Sequence, residues 1–350
     1  VRIALLTYST RPRGGVVHTL SLAEALAERG HDVSVWSLAR GGDTGFFRAV
    51  DPRVTLRLVQ FPEVEETVGE RILRSIEVLG AAFDEGDYDV VHAQDCITAN
   101  AVPRCVRTVH HLDAFTTPEL VRCHERAIVR PYAHVCVSAS VAKEVETGWG
   151  MRPTVISNGI DAARFAAAAS DGRWREQLGR YVLCVGGIEP RKGTLDLIEA
   201  MALVQREQPA LRLVVAGGET LFDYRAYRSQ VEARALELGV EILNLGPVDH
   251  DELPGLMAGA EVFAFPSTKE GFGLAAMEAL AVGVPVVMRD LPVLREVFGT
   301  SATFARTPEE LAACLLRARP SPTGRALAES YTWAAAAQQH EELYRALSAS

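Results

Sequence analysis

The stretch VFAFPSTKEGFGLAAMEALAVGVPVVMRD, residues 262–290, decides the fold. Its apolar run Val262–Phe265 is short and unbroken, as in a strand covered on both faces. A polar loop with two glycines follows, then an apolar helical pattern beginning near Phe272. The β-branched run Val284–Met288 is a second covered strand. Strand, helix and strand in that order predict a parallel pair joined by a right-handed crossover.

The same alternation runs outward in both directions. Strands are expected at Arg2–Tyr8, Val33–Leu38, Val54–Val59, Val90–His92, Val106–His110 and Val135–Ser138, and again at Tyr181–Val185, Leu211–Ala216 and Glu241–Leu245. Helical patterns lie between them, among them Val16–Arg29 and Thr194–Arg206, and Tyr331–Leu347 forms an amphipathic tail helix. The alternation lapses between Asp161 and Arg180, where small and charged residues replace strands. The expectation is an α/β chain of two doubly wound, Rossmann-like parallel-sheet domains, residues 1–165 and 166–332. Ligands of such sheets bind beyond the carboxyl ends of the strands. Two such domains facing each other would share a cleft.

Composition narrows the function. The chain has 350 residues, enough for about two domains, with 48% hydrophobic and 23% charged residues. A net charge of −9 argues against broad nucleic-acid binding, but not against a local basic pocket for a phosphorylated small molecule. The six cysteines form no C-x-x-C pair and sit mostly in apolar runs, which reads as buried thiols in a reducing, cytoplasmic setting. No apolar run reaches membrane-spanning length, and VRIALLTYS at the start reads as a strand rather than a signal peptide. Segments of the form H-E-x-x-H, G-x-S-x-G and GxxxxGK[ST] are absent, which removes support for zinc hydrolysis, an elbow-type serine hydrolase and a Walker loop.

Several clusters fall at strand ends. Glu270 and Glu278 are eight residues apart, and with a helix from Phe272 the second lies about two turns in. Glu270 and the N–H groups of Phe272, Gly273 and Leu274 would surround a helix N-terminus, which suits a sugar diphosphate; the alternative is a surface helix with ordinary glutamates. The same segment offers a competing dinucleotide pattern, Gly271, Gly273 and Ala276 followed by Asp290. Four residues between the strand and Gly271, and a place late in its domain, count against it. The strand ending at Val185 runs into GGIEPRKG, where Arg191 and Lys192 form either a diphosphate clamp or a solvated basic turn. Gly14 and Gly15 sit in the turn before the first helix, beside Arg11 and Arg13. His110, His111 and Asp113 close another strand and serve either chemistry or a structural His–Asp contact, with His92 and Asp95 on the same rim. Asp87-Tyr88-Asp89 precedes its strand, on the wrong edge for a ligand, and reads as a solvated turn, as Asn158-Gly159 reads as a turn signal. Phe46 and Phe47 are either an apolar lip or core. The row Arg122, Arg126, Arg130 is a solvated helix face or, more weakly, a membrane-surface patch.

Together, the segments RPRGGVVHTLSLAEALAERGHDVSVW, YDVVHAQD, TVHHLD, VSASVAKEV, VISNGID, VGGIEPRKG, EILNLGPVDHDEL, KEGFGLAAMEALAVGVPVV and YTWAAAAQQHEELY resemble the retaining glycosyltransferases of family 4, over almost the whole chain. The resemblance implies a GT-B fold whose first domain is completed by a helix over 333–350. It implies transfer of a hexose from a UDP- or GDP-sugar to a hydroxyl acceptor with retention, needing no metal and no other cofactor. Glu270 and Glu278 match the family's E-x7-E pair, Glu278 for the donor ribose and Glu270 for the transferred sugar. Lys192 matches the diphosphate lysine, Gly15 the loop glycine near the phosphates and His110 the histidine near the sugar's C6 hydroxyl. Gly271, Phe272, Gly273 and Leu274 would give backbone contacts, with Gly14 and Gly187 also on the donor side. Asp95, His111 and Asp113 would face the acceptor. One departure stands out: many relatives carry an arginine where this chain has Gly187, and Arg191 is the candidate to replace it. Domain closure would exclude water from the reaction. Two other readings are a two-domain nicotinamide-dependent oxidoreductase and a non-catalytic nucleotide-sugar binder. Sequence alone specifies neither the acceptor nor the oligomeric state.

Overall fold

The computed structural model describes residues 1–219 and 224–348. Thirteen strands form two sheets among the described residues. The first holds β1 (Arg2–Leu6), β2 (Asp32–Arg40), β3 (Val54–Phe61), β4 (Val90–Ala93), β5 (Val106–Val109), β6 (Ala133–Cys136) and β7 (Thr154–Val155) in the order β3-β2-β1-β4-β5-β6-β7. The second holds β8 (Tyr181–Val185), β9 (Arg212–Ala216), β10 (Ile242–Gly246), β11 (Val262–Phe265), β12 (Val286–Arg289) and β13 (Thr303–Ala305) in the order β10-β9-β8-β11-β12-β13. Every pairing is parallel. Each sheet reverses its winding beside its first strand, between β1 and β4 and between β8 and β11, which is where open α/β sheets take ligands.

Apolar burial explains the continuous strands. Ile3, Leu5, Val33, Val35 and Val106 are fully buried on one face of the first sheet, beside Leu20 and Leu26 from the helix Gly14–Glu28. In the second, Val182, Leu213 and Val262 join Leu197, Ile198 and Met201 of the helix Thr194–Glu207. β7 and β13 were not expected; two and three residues long, they lie at sheet edges and lack an apolar run.

The chain divides into Val1–Gly159 with Trp333–Ser350, and Ile160–Thr332. The division falls before residue 165 because the helix Ala162–Ala167 packs on the helices Leu274–Val282 and Gly324–Ser330 of the second unit. The tail helix runs from Trp333 to Ser348 and buries Ala336, Ala337 and Tyr344 in the first unit's core; 349–350 lie outside the described residues. Phe46 and Phe47 pack on that same core rather than forming a lip. Asp89 accepts from the Arg2 backbone N–H at 2.9 Å and pairs with its guanidinium at 2.7 Å, a surface turn at the amino edge of the sheet. Among the described residues no helix is long and apolar enough to cross a membrane.

Candidate active site

In the second unit, the segments leaving β8 and β11 meet at the reversal point. After β8, Pro190–Lys192 forms one tight helical turn and Gly193 takes a left-handed conformation (φ +67°) before the next helix. Only glycine fits there: a Cβ would lie 2.2 Å from the Pro266 carbonyl oxygen. The Thr268 N–H donates to the Arg191 carbonyl at 2.8 Å and fixes the two loops together. That crossing brings Lys192 Nζ to 2.9 Å and Arg191 Nη1 to 3.2 Å from Glu270 Oε1. Arg191 also donates to the Lys269 carbonyl at 3.1 Å and reaches Glu189 Oε1 at 3.1 Å. Glu189, 8% exposed, was not anticipated from sequence, because its partner is set by the turn rather than by a motif. The Glu270 side chain is 10% exposed, and burial opposes its ionisation. Lys192 and then Arg191 outweigh burial and hold its pKa at about 2.

Glu278 stands in the opposite environment. The helix beginning at Leu274, two residues later than expected, puts Glu278 just over one turn in rather than two. Burial pushes its pKa up to about 8, with Arg164 opposing and Asp161 adding to the shift. Gly273 (φ +97°) precedes this helix, so no side chain caps it, and its first amides stay available to an anion. The helices starting at Gly14 and Thr194 also lack a side-chain cap. Gly271, Phe272 and Gly273 are buried and Leu274 is half-buried. The Phe272 ring packs edge-on to Tyr331, centroids 5.1 Å apart, leaving its backbone as the polar contribution. Gly187 is half-buried two residues after β8, next to Gly186, whose N–H donates to the Ala216 carbonyl at 2.8 Å.

In the first unit, Gly14 and Gly15 open the helix itself rather than the turn before it. A Cβ on Gly15 would lie 3.7 Å from the His110 imidazole. His110 follows β5 directly, with Nε2 3.3 Å from Gln94 Oε1. Burial, then the Arg107 cation, push its pKa down to about 3, so at neutral pH it is an uncharged hydrogen-bonding ring. His18 packs edge-on to His110 with centroids 4.7 Å apart, its Nδ1 2.8 Å from Asn158 Oδ1 and its other side 5.3 Å from the Trp333 ring. His18, Gln94, Asn158 and Trp333 are the supports that sequence reading missed. Asn158 was legible as a turn but not as a partner, because it lies 140 residues from His18.

Other strand-end residues sort differently. His92 does not line the rim: it is fully buried, 2.6 Å from the Tyr344 hydroxyl and 2.7 Å from Thr108 Oγ1. Asp95 caps the helix Cys96–Ala101, its carboxylate accepting from the Thr98 N–H at 2.8 Å and the Tyr8 N–H at 3.0 Å. His111 and Asp113 pair at 3.1 Å, half-exposed. No group of three or more His, Cys, Asp or Glu side chains suited to a metal ion occurs among the described residues. Asp290, the acidic residue of the competing dinucleotide pattern, pairs with Arg295 at 2.7 Å and Arg306 at 2.9 Å.

Comparison with known proteins agrees with this geometry. Residues 173–316 match the family described as glycosyl transferases group 1, and residues 12–164 match Glycosyltransferase Family 4. A phosphatidyl-myo-inositol mannosyltransferase from Propionibacterium freudenreichii subsp. shermanii is 30% identical over 95% of this chain and 91% of its own. Among solved structures, sucrose-phosphate synthase from Thermosynechococcus elongatus is similar with a TM-score of 0.80 at 21% identity, covering 99% of each chain. Anabaena HepE in complex with UDP-glucose gives a TM-score of 0.73 at 19% identity, again over 99% of each chain.

Proposed function

Because this chain belongs to the group 1 glycosyltransferases and has their GT-B fold, we propose that it moves a hexose from a UDP- or GDP-sugar to an acceptor hydroxyl, with retention of the anomeric configuration and without a metal. The observation that carries this reading is the Lys192–Glu270–Arg191 ion cluster beside the uncapped helix at Leu274. Negative charge grows on the diphosphate as the bond to the sugar breaks. Lys192, Arg191 and the open amides of that helix stabilise it electrostatically. Cationic side chains thus take the part a divalent ion would otherwise play. Glu278 accepts the donor's ribose hydroxyls, and Glu270, held ionised, receives hydroxyls of the sugar. Neutral His110, fixed by Gln94 and His18, hydrogen-bonds the sugar without adding charge. The acceptor hydroxyl attacks on the face the diphosphate leaves, and a departing phosphate oxygen takes its proton. No protein carboxylate then serves as nucleophile, unlike in retaining glycosidases.

Lys192→Ala and Glu270→Ala are each expected to lower donor-dependent release of nucleoside diphosphate at least about tenfold, with circular dichroism unchanged. Wild-type rates in both folded variants would overturn the site. Retention is read from the anomeric proton of the product, and metal independence from an unchanged rate in excess EDTA. The related names leave the base open, since one is a mannosyltransferase and another holds UDP-glucose.

A further inference from the structure

Beside the first unit's strand ends, the helices Cys96–Ala101 and Pro118–Val129 bring two thiols together. The Cys123 thiol lies 4.0 Å from the Cys96 carbonyl oxygen, and the two side chains interact. Asn100 Nδ2 fixes the pair, reaching the Cys96 carbonyl at 2.8 Å, the Cys123 carbonyl at 2.8 Å and Cys123 Sγ at 3.3 Å. A buried cation stands near them: Arg107, on β5, is 6% exposed, and its Nε and Nη1 have no hydrogen-bond partner. The nearby carboxylate of Asp95 is already engaged by the backbone N–H groups of Thr98 and Tyr8. A guanidinium withdrawn from water is costly, and a thiolate beside it adds to the compensation that the Asp95 charge supplies.

We propose that Cys96 and Cys123 form an oxidisable dithiol site that hydrogen peroxide converts to a disulfide, with Arg107 supporting the thiolate. Cys96 is half-buried, so a peroxide reaches the pair from its side. The thiolate attacks one peroxide oxygen and the O–O bond breaks, giving a sulfenic acid and, after protonation, one water. The second thiol then displaces hydroxide from the sulfenic sulfur, forming the S–S bond and a second water. Two thiols lose two electrons, and the peroxide is reduced to water. The bond would staple the two helices across β5 and the strand-end loop that carries His111 and Asp113. Burial lifts Cys105 and Cys184 to about 11 and Cys136 to about 12, and the interaction with Cys123, with burial, raises Cys96 too, whereas the interaction with Cys96 lowers Cys123, which is therefore the attacking thiol.

The test exposes the full, reduced chain to hydrogen peroxide at neutral pH, blocks the remaining thiols by alkylation and maps the peptides by mass spectrometry. The expected product is a Cys96–Cys123 linked peptide that dithiothreitol reverses, with the other four cysteines alkylated. Alkylation of both residues after peroxide, or sulfinic acid without a link, would overturn the proposal. In Cys96→Ser, dimedone should trap a sulfenic acid on Cys123, and its absence counts against the pair. Arg107→Gln should slow formation of the link about tenfold, and an unchanged rate removes Arg107 from the site.

Discussion

Two glutamates eight residues apart are driven in opposite directions, and the cause lies in their neighbours rather than in their sequence. Glu270 has cations within 3.2 Å, and Glu278 has burial. Glu278's folded pKa of about 8 exceeds its ordinary 4.5, so the stability it contributes is full below pH 4.5 and is lost as pH rises to about 8. The thermal midpoint of the wild type relative to Glu278→Gln should therefore fall across that window; a constant difference would contradict it. Glu270 has the opposite sign, its contribution disappearing as pH falls from 4.5 to about 2. Two glycines separate site from fold in the same way. Gly15→Ala has room beside His110 and should keep wild-type stability while lowering transfer about tenfold, since the added methyl occupies the approach to the helix N-terminus. Gly193→Ala meets the Pro266 carbonyl at a positive φ and should cost more than about 2 kcal/mol in denaturant unfolding. Glycine content made both positions visible in the sequence, but only the contact distances tell which serves the backbone and which the ligand.

At the level of elements, alternating apolar runs located β8 and β11 to the residue, because a strand covered on both faces leaves an unbroken apolar stretch. The tail helix was also legible as amphipathic. Its partners were not, since packing across roughly 250 residues or more leaves no periodic trace. Tyr344 binds His92 at 2.6 Å, His340 lies tilted against the same ring with centroids 5.6 Å apart, and Trp333 supports His18. Tyr344→Phe leaves His92 Nδ1 buried without its partner and should destabilise the protein by about 1–3 kcal/mol in chemical denaturation. An unchanged midpoint would show that the helix is held by apolar contacts alone. The late helix start at Leu274 has a local cause, the left-handed Gly273, which ends the loop before the helix can begin.

At the level of the molecule, both units repeat one winding order around a central first strand, and the candidate residues cluster at the two reversal points. A ligand that binds only the folded chain raises its thermal midpoint by mass action. UDP or GDP at a hundredfold excess over its dissociation constant should contribute about 2.7 kcal/mol, and NADH should contribute nothing. A shift with NADH alone would favour the oxidoreductase reading over the transferase one. The sequence by itself determined the parallel α/β class and the acidic balance, because hydrophobic period and composition are local properties of the chain, and it marked Glu270, Glu278, Lys192 and His110 as candidates through its resemblance to a family. The tertiary structure alone decided that Lys192 and Arg191 share one oxygen of Glu270, that Gln94, His18 and Asn158 stand behind His110, that Asp95 caps a helix, and that His92 is buried against Tyr344 and Thr108. Those contacts join residues up to 252 positions apart, and they exist only once the burial of apolar faces has brought distant strand ends together.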